Sequence, residues 1–463
     1  MATASERSEW TKLTDTAVFL LTYLKARIRS QKSLFSDTGV DREQRSASTL
    51  ENWSLGEARS SLERILTQNI IPFWYPGVID SNDGGYRLNH DLQGRWRGPA
   101  SKCLVTQART LWFFSRLINS IYRIPEYITA ASHGYEFLRD RMWDREFGGF
   151  YWEIDSSGHS AVRPEKQIYG QAFALYALTE YATASGDSLA KDTAKELFGL
   201  IETKAHDKRY GGYRDILRRD WTPLSANHMA NGHDRVPIKR MNTHLHLLEA
   251  ITSFCSFTED ALAGERLMEL ILINSNSVVR KDIGACTDRY LENWQPLTGP
   301  AYQRISYGHD LENIWLLMKA CKTADIAENL LLDLYRSLFE YALQYGLDRK
   351  NGGFYDSGFF NSPADRCEKI WWVQAESLIA ALEMYRLTRE QPYWDCFSRV
   401  LDWIVQHQVD WQHGDWYETI DQNQRPSGMK AGPWKGPYHN GRAMLRCLEL
   451  LDLCSAAVTS HSG

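Results

Sequence analysis

Apolar side chains recur along most of the chain at i, i+3, i+4 and i+7, the spacing that places them on one face of an α-helix. Segments with this pattern alternate with shorter polar stretches that contain glycine. No strand-rich block separates them. The pattern predicts an all-α protein of about twelve helices, and its clearest segments span 57–73, 103–122, 128–141, 167–184, 242–257, 308–321, 370–386 and 436–454.

A glycine motif repeats between these segments. An acidic residue, one or two glycines and an aromatic residue follow one another, as in Asp83-Gly84-Gly85-Tyr86. Gly-Gly supplies the positive φ of a tight turn, and the aromatic residues around it predict short β-hairpin loops. Asp83, Asp207 and Asp348 are expected to accept hydrogen bonds from the turn amides. The first glycines of the six copies are Gly84, Gly148, Gly211, Gly284, Gly352 and Gly414, with gaps of 64, 63, 73, 68 and 62 residues.

Six units of two helices predict an (α/α)6 barrel, in which the helices alternate between an outer and an inner ring. The alternative is an open α-solenoid. It is disfavoured because the second helix of each unit begins with polar and aromatic residues, the arrangement expected around a shared cavity. The predicted barrel spans residues 56–456. Residues 1–55 are an N-terminal extension, partly helical and expected to be mobile, and residues 457–463 are a disordered tail.

Composition and charge narrow the function. The chain has 463 residues, with 17 Trp and 23 Tyr, enough to fill a large core and to line a pocket for a sugar. The net charge of −5 and the lack of a basic stripe give no support for nucleic acid or an anionic membrane as partner. The one early apolar run, 17–24, is too short to span a membrane. We therefore expect a cytoplasmic monomer or homodimer that binds a small molecule.

The sequence indicates no cofactor and no metal. It contains neither a dinucleotide-binding nor a phosphate-binding glycine motif. Its eight cysteines show no metal-binding spacing, and we interpret them as reduced thiols. His244 and His246 resemble a metal-binding pair, but residues two apart on a helix point in different directions.

Candidate functional residues stand near the start of every inner helix, so all of them should lie around one mouth of the barrel. Spacings of three, four and seven residues place Asn242 with His246 and Glu249 on one helix face. A single polar histidine in a helix is more often structural than catalytic, but three at corresponding positions favour chemistry. The candidates are Arg109, Tyr169, Asn242, His246, His309, Glu312, Trp372, Glu376, Trp434 and His439.

Four segments carry a resemblance to a known family. NTHLHLLEA, SYGHDLENIW, KIWWVQAE and GPWKGPYHN, in this order, resemble the motifs of the N-acylglucosamine 2-epimerase superfamily, and especially its cellobiose and mannobiose 2-epimerase branch. The resemblance covers about residues 58 to 455. It implies an (α/α)6 barrel and an isomerase that inverts an aldose at C2 without a cofactor.

The resemblance also implies roles for single residues. His309 and His439 correspond to the pair that acts as general acid and base on C2, and His246 with Asn242 lies at the carbonyl end of the sugar. Arg109 would stabilise the enediolate oxygens, and Glu312 would orient His309. The sugar-binding residues of the family correspond to Tyr169, Trp372, Glu376 and Trp434.

Several alternatives remain open at this point. The same site could serve an N-acyl-D-glucosamine 2-epimerase, a D-mannose 2-epimerase or an aldose–ketose isomerase. From another reaction class, a glycoside hydrolase could use Glu312 and Glu376 as its two carboxyl groups, although the histidines would then have no role. A sugar-binding protein without catalysis is the least favoured alternative.

Overall fold

The computed structural model describes residues 53–224 and 238–459 of the chain. None of the helices in these ranges is both long and apolar enough to cross a lipid bilayer. Twelve α-helices of more than four residues follow one another there: α1 (Leu55–Ile65), α2 (Leu104–Ile118), α3 (Pro125–Phe137), α4 (Ile168–Ser185), α5 (Ser188–Lys204), α6 (Met241–Thr258), α7 (Ala261–Leu272), α8 (Tyr307–Thr323), α9 (Leu332–Tyr345), α10 (Trp371–Thr388), α11 (Gln391–Trp403) and α12 (Tyr438–Thr459).

Shorter helical segments lengthen or connect these elements. The four-residue helix Ile71–Trp74 continues the line of α1. The π-helical turns are Leu66–Ile70, Leu138–Met142, Ile273–Ser277 and Ile404–Gln408, and the 3-10 turns are Pro300–Tyr302 and Glu328–Leu331.

The described residues include both ends of the helical repeat. The helical repeat begins at Leu55, and α12 continues to Thr459, so the start of the predicted tail is helix instead. The rest of the predicted tail and almost all of the extension lie outside the described residues. A capping box starts α1: the Ser54 hydroxyl accepts from the Glu57 amide at 3.2 Å, and the Glu57 carboxylate accepts from the Ser54 amide at 2.9 Å.

The even-numbered helices form a closed inner ring, and the odd-numbered helices surround it. Each inner helix packs against the next one along the chain. The ring closes where α12 meets α2. There the Tyr438 ring contacts the Trp112 ring edge-on, with 5.2 Å between the ring centroids. Gly441 is essential to this closure, since a Cβ atom there would lie only 2.4 Å from the Phe113 ring. The fold is therefore the predicted (α/α)6 barrel, and the open solenoid is excluded.

Short antiparallel hairpins lie where the inner helices begin, as predicted. Strands β1, β4, β6, β10 and β13 each end one residue before an inner helix. The six sheets are β1–β2–β3, β4–β5, β6–β9, β7–β8, β10–β11–β12 and β13–β14–β15. Their bounds are β1 (Lys102–Cys103), β2 (Glu153–Ile154), β3 (Ala161–Arg163), β4 (Lys166–Gln167), β5 (Ile216–Leu217), β6 (Ile238–Arg240), β7 (Val279–Arg280), β8 (Ala285–Cys286), β9 (Arg289–Leu291), β10 (Arg304–Ser306), β11 (Ser357–Phe359), β12 (Ala364–Arg366), β13 (Lys369–Ile370), β14 (Thr419–Ile420) and β15 (Pro426–Ser427).

The aspartates of the glycine turns accept backbone amides, with one correction to the prediction. Asp207 and Asp348 do so as expected, but in the first unit the acceptor is Asp80, which binds the amide of Asp83 at 3.3 Å. A lysine in the following hairpin also binds the aspartate in five units, which ties each turn to an inner helix. These pairs are Asp80 with Lys102, Asp144 with Lys166, Asp207 with Lys239, Asp348 with Lys369, and Asp410 with Lys430.

Candidate active site

In four of the inner helices, the side chain of the fourth residue binds the helix to a glycine turn. In α2, α4 and α10 a buried glutamine takes this position, and in α2 Gln107 pairs with both backbone groups of Tyr86 at 2.8 Å. His244 takes the same position in α6, where its Nε2 accepts from the Tyr213 amide at 2.8 Å and its Nδ1 donates to the Arg240 carbonyl at 2.7 Å. Both nitrogens of His244 are therefore structural, and the ring faces away from the cavity that His246 lines.

One wall of the central cavity is formed by α2, α4 and α6. Arg109 is 4% exposed, and its Nη2 donates to Tyr169 Oη at 2.9 Å. Its guanidinium lies 4.1 Å from the centre of the Phe173 ring. The imidazole of His246 packs against the same two rings, edge-on to Tyr169 at 5.2 Å and tilted to Phe173 at 4.6 Å. The predicted residues Arg109, Tyr169 and His246 are therefore brought together.

The opposite wall is formed by α8, α10 and α12. The Trp372 indole packs against two imidazoles, with ring centroids 4.7 Å from His309 and 5.8 Å from His439. Gly308 permits this approach, because a Cβ atom there would lie 2.5 Å from the indole. Within the described part of the chain, neither ring nitrogen of His309 has a hydrogen-bond partner. Two histidines thus contact a common aromatic surface.

Beneath both walls, one arginine binds three buried glutamates. Arg442, from α12, donates through Nη2 to Glu312 and to Glu376, each at 2.6 Å. Its Nη1 donates to Glu249 and to Tyr438 Oη. All three carboxylates are at most 2% exposed, so the guanidinium provides the charge compensation that water cannot.

Two of these glutamates fix the orientation of catalytic-site histidines. Glu249 Oε2 accepts from His246 Nδ1 at 3.0 Å, and Glu376 Oε1 accepts from His439 Nδ1 at 2.6 Å. A hydrogen on Nδ1 leaves the lone pair of the neutral ring on Nε2. In both histidines, Nε2 is therefore the nitrogen free to take a proton from a substrate.

The glutamate roles differ from those expected from the sequence. Glu312 does not orient His309: its Oε1 accepts from Arg442, and its Oε2 lies 4.0 Å from His246 Nε2. Glu376, expected to bind substrate, is fully buried behind His439. The physical reason is that spacing along a helix defines a shared face, but the packing of neighbouring helices decides which partner that face meets.

Burial determines the protonation states of the site. It lowers the pKa of His309 to about 4 and the pKa values of His246 and His439 as well, so that all three rings are neutral at neutral pH. Burial and the neighbouring Glu376 raise the pKa of Glu312 to about 7. Glu312 can therefore hold a proton at neutral pH, 4.0 Å from His246 Nε2.

The mouth is open beside His309. A cavity of about 330 Å³ there is lined by Asn242, Tyr302, His309 and Trp372, among others. The Oδ1 atom of Asn242 is buried and has no hydrogen-bond donor within the described ranges. Trp434 is 53% exposed, with its ring 6.3 Å from Tyr169 at the rim of the mouth. A ligand can therefore reach Asn242, Trp372 and Trp434.

Three potential metal ligands also converge in the floor of the cavity, the region around Arg442 and the buried glutamates that it binds. Atoms of Glu312, Glu376 and His439 lie within 4.8 Å of one another. Both carboxylates accept from the same nitrogen of Arg442, and His439 Nδ1 faces Glu376. Because the guanidinium already compensates these charges, the arrangement is better described as an ion-pair network than as a metal site.

Sequence reasoning missed Arg442 as a site residue, and it placed Glu249 on the helix face of His246 without including it among the candidates. A signal was available for each, since Arg442 follows His439 by three residues and Glu249 follows His246 by three, which places each pair on one helix face. Tyr438 and Phe173 were missed because aromatic residues on an inner helix are core residues by default.

Comparisons with known proteins agree with this architecture. The model of the N-acylglucosamine 2-epimerase family matches residues 84–443. The cellobiose 2-epimerase of Dictyoglomus turgidum is 33% identical over 85% of this chain and 98% of its own length, and that of Bacteroides fragilis is 31% identical over the same shares. The solved structure of cellobiose 2-epimerase from Spirochaeta thermophila has a TM-score of 0.79 and 34% identity, and covers 88% of this chain and 100% of its own.

Proposed function

The chain belongs to the N-acylglucosamine 2-epimerase family, and we propose that it inverts C2 of the reducing-end glucose or mannose of a β-1,4-linked disaccharide such as cellobiose. It is accordingly a sugar epimerase, an isomerase. The observation that carries the proposal is that the imidazoles of His309 and His439 both pack against Trp372 and that each has a ring nitrogen free.

The reaction begins with ring opening. The hydrogen on C2 of a sugar becomes acidic only when C1 is an aldehyde, so a proton must first move from O1 to O5. His246, which lies 4.0 Å from Glu312 through Nε2, is the group we assign to this transfer. Because its pKa is raised to about 7, the Glu312 carboxyl can both donate and accept a proton at neutral pH.

Inversion then needs two bases. One neutral imidazole removes the C2 proton to give a cis-enediolate. The other has taken up a proton from solvent, enters this step as the imidazolium and returns that proton to the opposite face of the enediolate plane. His309 and His439 fill these roles, and the reverse reaction exchanges them. Glu376 stabilises the imidazolium that forms on His439, since it accepts from Nδ1.

The negative charge of the enediolate develops on O1 and O2. Arg109 is the cation on the wall formed by α2, α4 and α6. Tyr169 Oη, at 2.9 Å, and the face of the Phe173 ring hold its guanidinium in place. A donor held in place before the reaction needs no reorganisation in the transition state, and loss of such a group costs about 10²-fold or more in rate.

The size of the cavity at the mouth of the barrel and the exposed ring of Trp434 support a disaccharide as substrate. The cavity of about 330 Å³ beside His309 continues away from the catalytic groups and offers room for a second sugar ring. Trp434 adds an exposed aromatic face at the rim for stacking.

The hydrolase alternative is disfavoured by geometry. A glycoside hydrolase needs two carboxyl groups that face the scissile bond from opposite sides. Glu312 and Glu376 are both fully buried and both accept from Arg442 Nη2. Neither is free to face a glycosidic bond.

Incubation of the full chain with cellobiose, mannobiose, glucose, mannose and N-acetylglucosamine in deuterated water tests the proposal by NMR. We expect C2-deuterated epimers, formed fastest from the disaccharides, and no product from the His309→Ala variant. A ketose as main product would instead assign an isomerase. Released monosaccharides would assign a hydrolase and overturn the proposal.

A further inference from the structure

A second cavity, of about 520 Å³, lies at the end of the barrel opposite the catalytic mouth. The C-terminal halves of the inner helices line it, with residues that include Arg116 of α2, Lys319 of α8, Glu383 of α10 and Arg446 of α12. The residues proposed above for catalysis lie instead at the N-terminal ends of the same helices. Arg442 is the residue that borders both the cavity and the catalytic floor.

The acidic side chains of this cavity are already bound. Glu383 accepts from Arg386 at 2.7 Å and from Arg446 at 2.6 Å. Glu449 accepts from Arg446 at 3.2 Å and from Arg116. The two remaining carboxylates are bound in the same way, Glu180 by Arg116 and Glu328 by Arg386.

Two lysines that line the cavity have no ion-pair partner among the described residues. They are Lys319 and Lys322, and Lys319 is half-buried, with its ammonium group 5.8 Å from the centre of the Tyr176 ring.

Because every carboxylate that lines the cavity is bound by an arginine, the two lysines leave an excess of positive charge and of hydrogen-bond donors, which is complementary to an anion rich in acceptors. We infer that this cavity binds a phosphate group, either as the free ion or carried on a small organic molecule, through Lys319 and Lys322. Phosphate offers several acceptor oxygens and the negative charge that two unpaired lysines favour. A volume of about 520 Å³ also has room for a phosphorylated sugar.

Isothermal titration calorimetry of the full chain with inorganic phosphate and with glucose 6-phosphate, at constant ionic strength in chloride, tests the inference. We expect saturable binding with one site per chain. Tighter binding of glucose 6-phosphate would assign an organic phosphate, and equal affinity would assign the free ion. Because binding is the readout, the result does not depend on the proposed epimerase activity.

Variants locate the site. Lys319→Gln combined with Lys322→Gln should weaken binding at least tenfold, and each single variant should weaken it severalfold. Lys195→Gln, an exposed lysine on α5, is the matched control and should bind as the wild type. Absence of saturable binding to the wild type would overturn the inference. So would a loss of affinity in Arg366→Gln, at the catalytic mouth, with none in the lysine variant.

Discussion

His439 Nδ1 lies 2.6 Å from Glu376 Oε1, and this contact decides which nitrogen of the ring faces the sugar. The carboxylate does more than select a tautomer. When His439 takes up the C2 proton, the resulting imidazolium is buried, and the adjacent negative charge compensates it. Glu376 therefore acts on the reaction through His439.

Replacement of Glu376 by glutamine tests this role. The amide keeps the shape and can still accept from His439, but the negative charge is lost, so we expect kcat to fall by roughly 10²-fold or more while KM changes by less than about threefold. Steady-state kinetics on cellobiose measure both. Glu383→Gln is the matched control, because Glu383 lies on the same helix, is buried and ion-paired, and contacts no catalytic histidine. Unchanged kcat in Glu376→Gln would contradict the assignment.

If His309 and His439 act on opposite faces of the sugar, hydrogen exchange at C2 should differ between variants of the two residues. His309→Asn and His439→Asn should each abolish epimerisation, because the proton can no longer be delivered to one face. Each variant keeps one base, so each should still exchange the C2 hydrogen of one epimer with deuterated water, and the two variants should act on opposite epimers. NMR of cellobiose and of its C2 epimer measures the exchange.

The variant His159→Asn, in an exposed loop outside the inner helices, is the control and should epimerise both sugars as the wild type does. Exchange of the same epimer by both active-site variants would show that the two histidines do not lie on opposite faces.

The barrel could be predicted from the sequence because its signals are local. Turn glycines and helix periodicity depend on neighbouring residues, and α4 at Ile168–Ser185 differs by one residue at each end from the predicted 167–184. The partners of Glu312 and Glu376 could not be predicted. Each lies on an inner helix at the expected face, but its contact is Arg442, which reaches from α12 across the centre of the barrel.

The buried imidazole of His244 should make the free energy of unfolding depend on pH. Burial lowers its pKa from 6.5 to about 4, so the unfolded chain binds a proton in this interval and the folded chain does not. The stabilisation is complete above about pH 6.5 and is lost as the pH falls toward 4, by on the order of 3 kcal/mol. In other units glutamine takes this position, as Gln107 does in α2. Urea denaturation of His244→Gln should therefore show a flatter pH dependence, and an unchanged profile would refute the attribution.

Treatment with a metal chelator tests whether Glu312, Glu376 and His439 belong to an ion-pair network or hold a metal ion. Glu312, Glu376 and His439 have the spacing of metal ligands, but Arg442 already binds both carboxylates. Extended dialysis against EDTA should leave kcat and KM within about 20% of the untreated enzyme. Loss of activity that returns with one added divalent ion would show that the network holds a metal.

Removal of Arg442 should affect stability in a way that depends on pH. Arg442→Met leaves Glu249, Glu312 and Glu376 buried without their cation, which costs about 3–5 kcal/mol of unfolding free energy at pH 8. Without the arginine the pKa values of all three glutamates rise, that of Glu249 from about 2 and those of Glu312 and Glu376 from values already raised by burial. The destabilisation is thus greatest where the carboxylates are ionised, and it decreases as the pH falls.

Urea denaturation at pH 8 and pH 5.5 measures this difference. The cost of Arg442→Met relative to wild type should be smaller at pH 5.5, because protonated glutamates need no cation. Arg304→Met is the control: Arg304 pairs with the exposed Asp365, so its loss should cost about 1 kcal/mol or less at either pH. An equal cost of Arg442→Met at both values would mean that the arginine stabilises the barrel by packing and not by compensating the three carboxylates.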